Sequence, residues 1–177
     1  KKEKDIHVLR RIDGEYVTGN NDILAYCQQH YEQLHKTQMV ESVREAQFLN
    51  FIQPGDFPRL SQAEQERCEG SISFQECEEV LKEMLNNKAA SVSGFSKEFF
   101  LYFWSDLGDM VVDYVNQARD NGTFFVTQRR GVITVLPKKG DQMLIKNKRA
   151  ICLLDIVYKI VAKVIAKRLM SVIHLLV

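Results

Sequence analysis

Two short apolar runs on either side of a cationic loop, in the last third of the chain, constrain the fold more than any other feature. The first run lies in Gly131-Val-Ile-Thr-Val-Leu-Pro-Lys-Lys-Gly140 and the second in Asn147-Lys-Arg-Ala-Ile-Cys-Leu-Leu154. Both are rich in the β-branched and apolar side chains that favour strands. The pattern predicts an antiparallel β-hairpin from about Arg130 to Leu154.

The loop between these predicted strands collects five basic side chains, which are Lys138, Lys139, Lys146, Lys148 and Arg149. A guanidinium at the base of a strand can form bidentate bonds to a phosphate, and lysines on the facing turn add positive charge. We therefore select Arg149, with Lys138 or Lys139, as a candidate phosphate site. The alternative is an ordinary solvated loop, since most runs of charge are surface.

Helical periodicity dominates the chain before residue 122. A helix is expected to begin at Asn20 or Asn21 and to carry apolar residues at helical spacing, namely Ile23, Tyr26, Cys27, Tyr31 and Leu34. Val40 to Phe51 is a second apolar-spaced stretch. The best linker candidate is Gln53 to Leu60, because it gathers two prolines and a glycine.

Two capping-box sequences, Ser61-Gln-Ala-Glu64 and Ser73-Phe-Gln-Glu76, predict two further helix starts. The second of these helices is expected to run to about Asn86. Its inward residues are predicted to be Val80, Leu81, Met84 and Leu85.

Aromatic residues crowd the segment from Lys97 to Trp104, which we interpret as a short helix whose rings belong to the core. A longer helix should follow and end before Gly122, which is well placed as the residue just after the helix. Its apolar residues recur at helical spacing, at Leu107, Met110, Val111, Tyr114, Val115 and Ala118. With a closing helix from Asp155, the predicted fold class is helix-rich α+β: N-terminal helices, a β-hairpin with a basic loop, and a C-terminal helix.

The charges of the chain are divided by position. Residues 129–168 hold 11 Lys and Arg against two Asp, whereas residues 1–128 hold 13 Lys and Arg against 21 Asp and Glu. This division favours an anionic partner for the basic end. Lys159, Lys163 and Lys167 recur every four residues, so they are predicted to form one stripe, which either follows a nucleic-acid backbone or is an exposed amphipathic face.

The densest group of carboxylates, formed by Glu76, Glu78, Glu79 and Glu83, is expected to be solvated and to complement a helix dipole. The four cysteines form no C-x-x-C pair and no histidine lies at metal-ligand spacing, so neither a metal site nor a disulfide framework is predicted. Ser91, Ser93 and Ser96 have no His or Asp spaced to activate them, and turn or capping roles are expected.

No run approaches the roughly 18 apolar residues of a membrane span. The chain is therefore expected to be soluble and not to bind a membrane. The cysteine pattern favours reduced thiols and thus an intracellular location, in the nucleus or the cytoplasm.

The chain resembles the reverse transcriptases of non-LTR retrotransposons, the long interspersed elements. Their fingers read approximately I-T-L-I-P-K-K-G, N-W-R-P-I-S-L-L and Y-K-I-L-A-K-I-L-A-x-R-L. The last of these is similar to Tyr158-Lys-Ile-Val-Ala-Lys-Val-Ile-Ala-Lys-Arg-Leu169. Lys88-Ala-Ala-Ser-Val-Ser-Gly-Phe95 is similar to the family's K-S-P-G-P-D-G-L, and Ile12-Asp-Gly14 and Tyr31-Glu-Gln-Leu34 are similar to the connector that precedes the polymerase domain.

This resemblance implies a helical connector at 1–60 and the N-terminal, fingers part of a reverse transcriptase domain at 61–177, ending before the palm. It implies that Arg149, with Lys138 and Lys139, binds the phosphates of an incoming deoxynucleoside triphosphate. An RNA template or RNA–DNA hybrid would be the partner of five further lysines, which are Lys146, Lys148, Lys159, Lys163 and Lys167.

The resemblance assigns no catalytic or metal-binding residue to this chain. The family's metal-binding aspartates, including its Tyr/Phe-Ala-Asp-Asp turn, belong to later motifs, and no such string occurs here. The chain alone is therefore expected to be inactive and to hold no cofactor, whereas the complete polymerase would use Mg²⁺.

The sequence departs from the family pattern at the loop before Gly94 and beside Arg149. Residues 90–93 are Ala, Ser, Val and Ser where the family has Pro, Gly, Pro and Asp, and Lys148 and Ala150 replace a Trp and a Pro. These changes alter the backbone restriction and the packing of both segments. They leave open a degenerate or domesticated retrotransposon-derived module that acts in protein or nucleic-acid interaction.

Overall fold

The computed structural model describes residues 6–36 and 58–176. Two two-stranded sheets and several helices occupy these ranges, which confirms the predicted helix-rich α+β class. The elements are β1 Val8–Arg10, β2 Tyr16–Thr18, α1 Asn20–His35, α2 Gln62–Glu69, α3 Phe74–Glu83, α4 Lys97–Tyr102, α5 Trp104–Asp120, α6 Val126–Arg129, β3 Gly131–Pro137, β4 Lys148–Leu154 and α7 Ile156–Val172.

The chain divides into two compact units. One combines Lys1–Gln53 with Thr134–Ile151, and the other combines Pro54–Ile133 with Cys152–Val177. The domain boundary between 1–60 and 61–177 stays a prediction, because this grouping of residues does not test it.

The first unit begins with a hairpin that the sequence analysis did not predict. Strands β1 and β2 are antiparallel, with Leu9 opposite Val17. The turn between them places Gly14 at φ +95°, a conformation that glycine adopts without strain. The side chains of Leu9, Val17 and Ile23 then form a small apolar core against α1.

Helix α1 confirms the predicted apolar spacing at its centre, where Ile23 and Tyr31 are buried. Its N-cap is Gly19 and not an asparagine, and no side chain caps its first turn. Leu34 lies on the exposed side. The predicted stretch from Val40 to Phe51, and residues 53–57 of the predicted linker, lie outside the described residues.

The second unit contains the main core, in which α3, α5 and α7 pack against one another. Its most completely buried side chains include Val80, Leu81, Val115, Ile160 and Val164. Gly108 of α5 lies so close to the ring of Phe74 that a Cβ atom at this position would collide with it. Apolar burial of this kind is the main force that holds the three helices together.

Both predicted capping boxes are confirmed. Ser61 precedes α2 and Ser73 precedes α3, and the glutamate three residues after each serine accepts a hydrogen bond from the serine's backbone N–H, at 2.7 Å for Ser61 and 2.9 Å for Ser73. Helix α3 ends at Glu83 instead of about Asn86, and Leu85 is 71% exposed, so its predicted inward position is wrong.

The aromatic segment is only partly core, contrary to prediction. Phe100 and Trp104 are buried, but Tyr102 is 80% exposed because α4 is short and covers the core with one side only. Met110 of α5 is also exposed, whereas the end of α5 before Gly122, at φ +66°, is as predicted.

None of the helices in 6–36 and 58–176 combines the length and apolarity needed to cross a bilayer.

Candidate nucleic-acid interface

The predicted hairpin is present, with β3 at Gly131–Pro137 and β4 at Lys148–Leu154. The N–H of Lys138 donates to the carbonyl of Asn147 at 2.8 Å and closes the base of the loop. Within the loop, the Asn147 side chain donates to the carbonyl of Asp141 at 2.8 Å, and the Gln142 side chain donates to the carbonyl of Gly140 at 3.0 Å. The loop is therefore ordered by its own hydrogen bonds.

The structure places four of the five loop cations on the exposed surface, at Lys138, Lys139, Lys146 and Arg149, with Lys148 partly buried. Asp141, the acid of this loop, forms an ion pair with Arg10 of β1, in the same compact unit. Within the described ranges, no ion pair involves any of the five loop cations. Their charge is thus available to an anion.

The lysines of the last helix are in a different situation. Lys163 lies 3.2 Å from a carboxylate oxygen of Glu83, and Lys167 lies 2.8 Å from the other oxygen of Glu83 and 3.6 Å from Glu79. Hydrogen bonds from Lys167 and Lys163 lower the pKa of Glu83, and the same carboxylate raises the pKa of Lys167. Two of the three lysines in the predicted stripe are therefore paired with acids.

The acidic cluster of α3 is not merely solvated, because all four members form ion pairs, Glu78 with Lys82 of the same helix and the other three with cations of α7. Glu76 does lie in the first turn of the helix, where a complement to the helix dipole was expected. Helix α3 packs against α7, so the acids on that side of α3 meet the cations of α7. Glu76 provides the clearest case, because Arg168 binds its two carboxylate oxygens at 2.7 and 2.8 Å. This bidentate pair lowers the pKa of Glu76 to about 2 and raises that of Arg168.

Arg168 was not singled out from the sequence, where it is one cation among many. Its guanidinium also donates to three backbone carbonyls, those of Cys68, Gly70 and Ser71, at 3.2, 2.6 and 2.8 Å. These bonds connect α7 to the turn between α2 and α3. Arg168 is therefore a structural residue and is not free to bind a phosphate.

The loop from Lys88 to Phe95, which departs from the family pattern, borders a cavity of about 260 Å³ in the second unit. The Ser91 hydroxyl donates to the buried carboxylate of Asp155 at 3.3 Å, and Asp155 accepts the N–H of Val157 at 3.0 Å as the N-cap of α7. Ser91 has the expected turn role, because its carbonyl accepts the N–H of Gly94 at 3.1 Å, whereas the cap of α7 is Asp155. Ser96 precedes α4, but its side chain makes no capping bond.

No three His, Cys, Asp or Glu side chains come together as a metal site would require in the part of the chain that the structure describes. The four cysteines are free, and burial raises the pKa of the Cys77 thiol to about 11.

Comparison with known proteins gives one informative match. The chain is 42% identical, over 115 residues, to the Transposon TX1 uncharacterized 149 kDa protein of Xenopus laevis. The match covers 65% of this chain but 9% of that protein, so the chain corresponds to a small part of its relative. No protein-family model matches. The chain is thus similar in sequence to a protein encoded by a transposon.

Proposed function

We propose that the chain is part of an RNA-directed DNA polymerase of a non-LTR retrotransposon, and that its hairpin binds nucleic-acid and nucleotide phosphates. The observation that carries the proposal is the loop of five cations without ion-pair partners in the described residues, held by a hairpin whose own acid is paired with Arg10. The sequence similarity to a transposon protein supports the same origin.

In this proposal, Arg149 forms bidentate bonds to the phosphates of an incoming nucleotide, and Lys138 and Lys139 add charge from the facing turn. Lys146 and Lys148 bind the backbone of an RNA template or RNA–DNA hybrid. Phosphoryl transfer depends on positioning and on charge stabilisation, and the residues named here supply the first and part of the second. We assign Mg²⁺ binding and bond formation to later motifs of the parent enzyme.

The proposed contribution of the last helix is smaller than the sequence implied. Lys159 remains a candidate for contact with the backbone, whereas Lys163 and Lys167 would first have to leave Glu83. Exchange of one partner for another gains little in electrostatic energy at a solvated position.

A salt titration tests the proposal. Binding of a labelled RNA–DNA hybrid is measured by gel shift at several salt concentrations for the wild type and for Arg149→Ala combined with Lys139→Ala. Each phosphate contact releases about one counterion when the complex forms. The double variant should lose two such contacts, so the slope of log K against log salt concentration should become less negative by about 2.

The matched control is Arg59→Ala combined with Lys36→Ala, which removes the same two residue types from exposed positions outside the hairpin. It should bind as the wild type does. Absence of hybrid binding, or equal behaviour of the two double variants, would refute the proposal.

A second candidate, a protein-interaction module, is favoured by apolar side chains that both hairpin strands expose, at Val132, Ile133, Leu136 and Ile151. It predicts that a partner captured by the wild type is retained after the loop cations are removed, but is lost when Ile133 and Leu136 are changed to Ser.

A further inference from the structure

A groove in the first compact unit lies apart from Arg149 and the Lys138–Lys139 turn. It has a volume of about 390 Å³ and is formed by the β1–β2 hairpin, α1 and the second half of the basic loop. Its lining includes basic and aromatic side chains, namely Arg10, Arg11, Tyr16, Tyr26, His30 and Lys146, and no Asp or Glu of the described ranges belongs to it. A cavity of this size and composition can accept a ligand that is both anionic and planar.

The aromatic rings of the groove are placed where a planar ligand could stack. Tyr16 is 61% exposed although it belongs to a strand, and on β1 it faces Arg10 and not an apolar side chain. The guanidinium of Arg11 lies 5.5 Å from the centre of the Tyr26 ring, a cation–π arrangement. One exposed ring and one ring paired with a cation therefore share this groove.

Two of the three Arg and Lys side chains in the groove, Arg11 and Lys146, are weakly paired or unpaired within the described residues, whereas Arg10 is paired with Asp141. Arg11 has Glu15 at 3.9 Å, and because both side chains are exposed, this pair has little energetic value. Arg10 binds Asp141 through one nitrogen of its guanidinium. Lys146 is exposed in the part of the groove that the basic loop forms, and no ion pair involves it in the described residues. The groove thus has a net positive charge.

We propose that this groove binds single-stranded nucleic acid, with a base stacked on the exposed ring of Tyr16 and phosphates bound by Arg11 and Lys146. Alternating rings and cations are how proteins hold unpaired strands, since every base offers a flat face and every linkage a charge. Bases within a duplex are stacked on each other and could not enter. The inference rests on the proposed function in expecting a nucleic-acid partner, and it shares Lys146 with it, but its test uses Tyr16 and Arg11, to which the proposed function gives no role.

The test compares oligonucleotides that differ in their bases but not in their charge. Binding of labelled 15-residue oligo(U), oligo(dT) and an abasic deoxyribose-phosphate chain is measured by fluorescence anisotropy at one salt concentration. The variant Tyr16→Ala should bind oligo(U) and oligo(dT) about 5-fold or more weakly, because a stacked base is lost, while binding of the abasic chain changes by less than about 2-fold. Tyr16→Phe keeps the ring and should bind as the wild type does.

Charge is tested separately. Arg11→Gln should weaken binding of all three probes by about 3-fold or more, because it removes a phosphate contact. The matched controls are Tyr102→Ala and Arg59→Gln, which change exposed residues of the same types in the second unit and should have no effect. A preference for oligo(U) over oligo(dT), or the reverse, would support the proposal, because the two probes carry the same charge and differ only in the 2′-hydroxyl and the base 5-methyl group.

Several results would overturn the inference. These are no binding of any base-bearing probe, equal wild-type affinity for oligo(dT) and the abasic chain, or equal losses in Tyr16→Ala and Tyr102→Ala. If Tyr16→Ala does not fold, the proposal is still tested by the Arg11→Gln variant and by the wild-type affinities for oligo(dT) and the abasic chain. Failure of the proposed hairpin function would appear instead in the Arg149 and Lys139 double variant with the RNA–DNA hybrid, so the two failures are distinguishable.

Discussion

Arg168 shows how one side chain can set the position of a whole helix. It binds a carboxylate and three carbonyls at once, and its side chain is only 13% exposed. Charge-assisted bonds in such a setting are stronger than pairs on the open surface. The stability that this cluster supplies should therefore depend on the charge of its acid, Glu76.

The first prediction concerns the pH dependence of stability. The pKa of Glu76 is about 2 in the folded chain against 4.5 for an ordinary glutamate, so its contribution is present above about pH 4.5 and is lost as the pH falls towards 2. Because the carboxylate is one-third exposed, screening reduces this contribution to about 1–2 kcal/mol. Urea unfolding between about pH 5 and pH 2.5 should show a loss of that size in the wild type that Glu76→Gln does not share.

Glu69→Gln is the control for this experiment, since it removes an exposed carboxylate from α2. Its stability should follow the wild-type curve over the acid range. Parallel curves for the wild type and Glu76→Gln would show that the pair with Arg168 contributes no net stability.

At this scale, sequence reasoning identified the basic loop residues but not the partners of Lys163 and Lys167. The loop cations are neighbours in sequence, so their grouping is visible directly. Lys167 and Glu83 are 84 positions apart, and only the packing of α3 on α7 brings them together. Periodicity likewise gave the direction of the apolar face of α5 but not its width, which is why Met110 was wrongly placed inside.

Among the elements, the helices with local start signals were predicted best. A capping box is complete within four residues, so Ser61 and Ser73 could be identified without any knowledge of the fold. The hairpin of β1 and β2 was missed because each strand has three residues, too few to show an alternating pattern. Its visible signal was the Asp13-Gly14 turn, which is weak evidence without longer strands beside it.

The second prediction is that the two capping boxes contribute unequally to the free energy of unfolding. Helix α3 has buried residues and belongs to the main core, whereas no residue of α2 is buried. Ser73→Ala should therefore lower the free energy of unfolding by about 1 kcal/mol, the usual cost of losing an N-cap hydroxyl. Ser61→Ala should cost less than about 0.5 kcal/mol, because α2 can fray without opening the core.

Urea unfolding followed by the fluorescence of Trp104, which lies in the same core as α3, measures this difference. Ser73→Thr keeps a hydroxyl and should retain most of the stability. Equal losses in the two alanine variants would mean that α2 unfolds together with the core.

Over the whole molecule, the acidic and basic parts of the sequence are not separate in space, because ion pairs join some of their residues. The acids of α3 and the cations of α7 neutralise one another in part, because Glu76 and Glu79 each pair with one cation of α7 and Glu83 pairs with two. Of the cations without such partners in the described residues, five are neighbours at the hairpin loop, and others, among them Arg129, Arg130 and Lys159, lie outside it. Formal net charge along the sequence could not reveal this, since it does not distinguish paired from unpaired groups.

The third prediction follows from that distribution. Glu83 holds both Lys163 and Lys167, so Glu83→Gln should release two cations on one side of α7. If this surface faces nucleic acid, binding of the RNA–DNA hybrid should become about 2- to 5-fold tighter at about 50 mM salt, and the gain should vanish near about 300 mM as screening increases. Gel-shift titration at the two salt concentrations measures the effect.

The control is Glu69→Gln on α2, which changes the net charge by the same amount. It distinguishes the release of Lys163 and Lys167 from the effect of net charge alone. Equal gains in the two variants would mean that only the overall charge matters. No gain in Glu83→Gln would place Lys163 and Lys167 outside the nucleic-acid interface and confine binding to the hairpin loop and the groove. An increase in affinity for the hybrid in Glu83→Gln alone would instead show that the ion pairs of Lys163 and Lys167 with Glu83 reduce the binding of nucleic acid by α7.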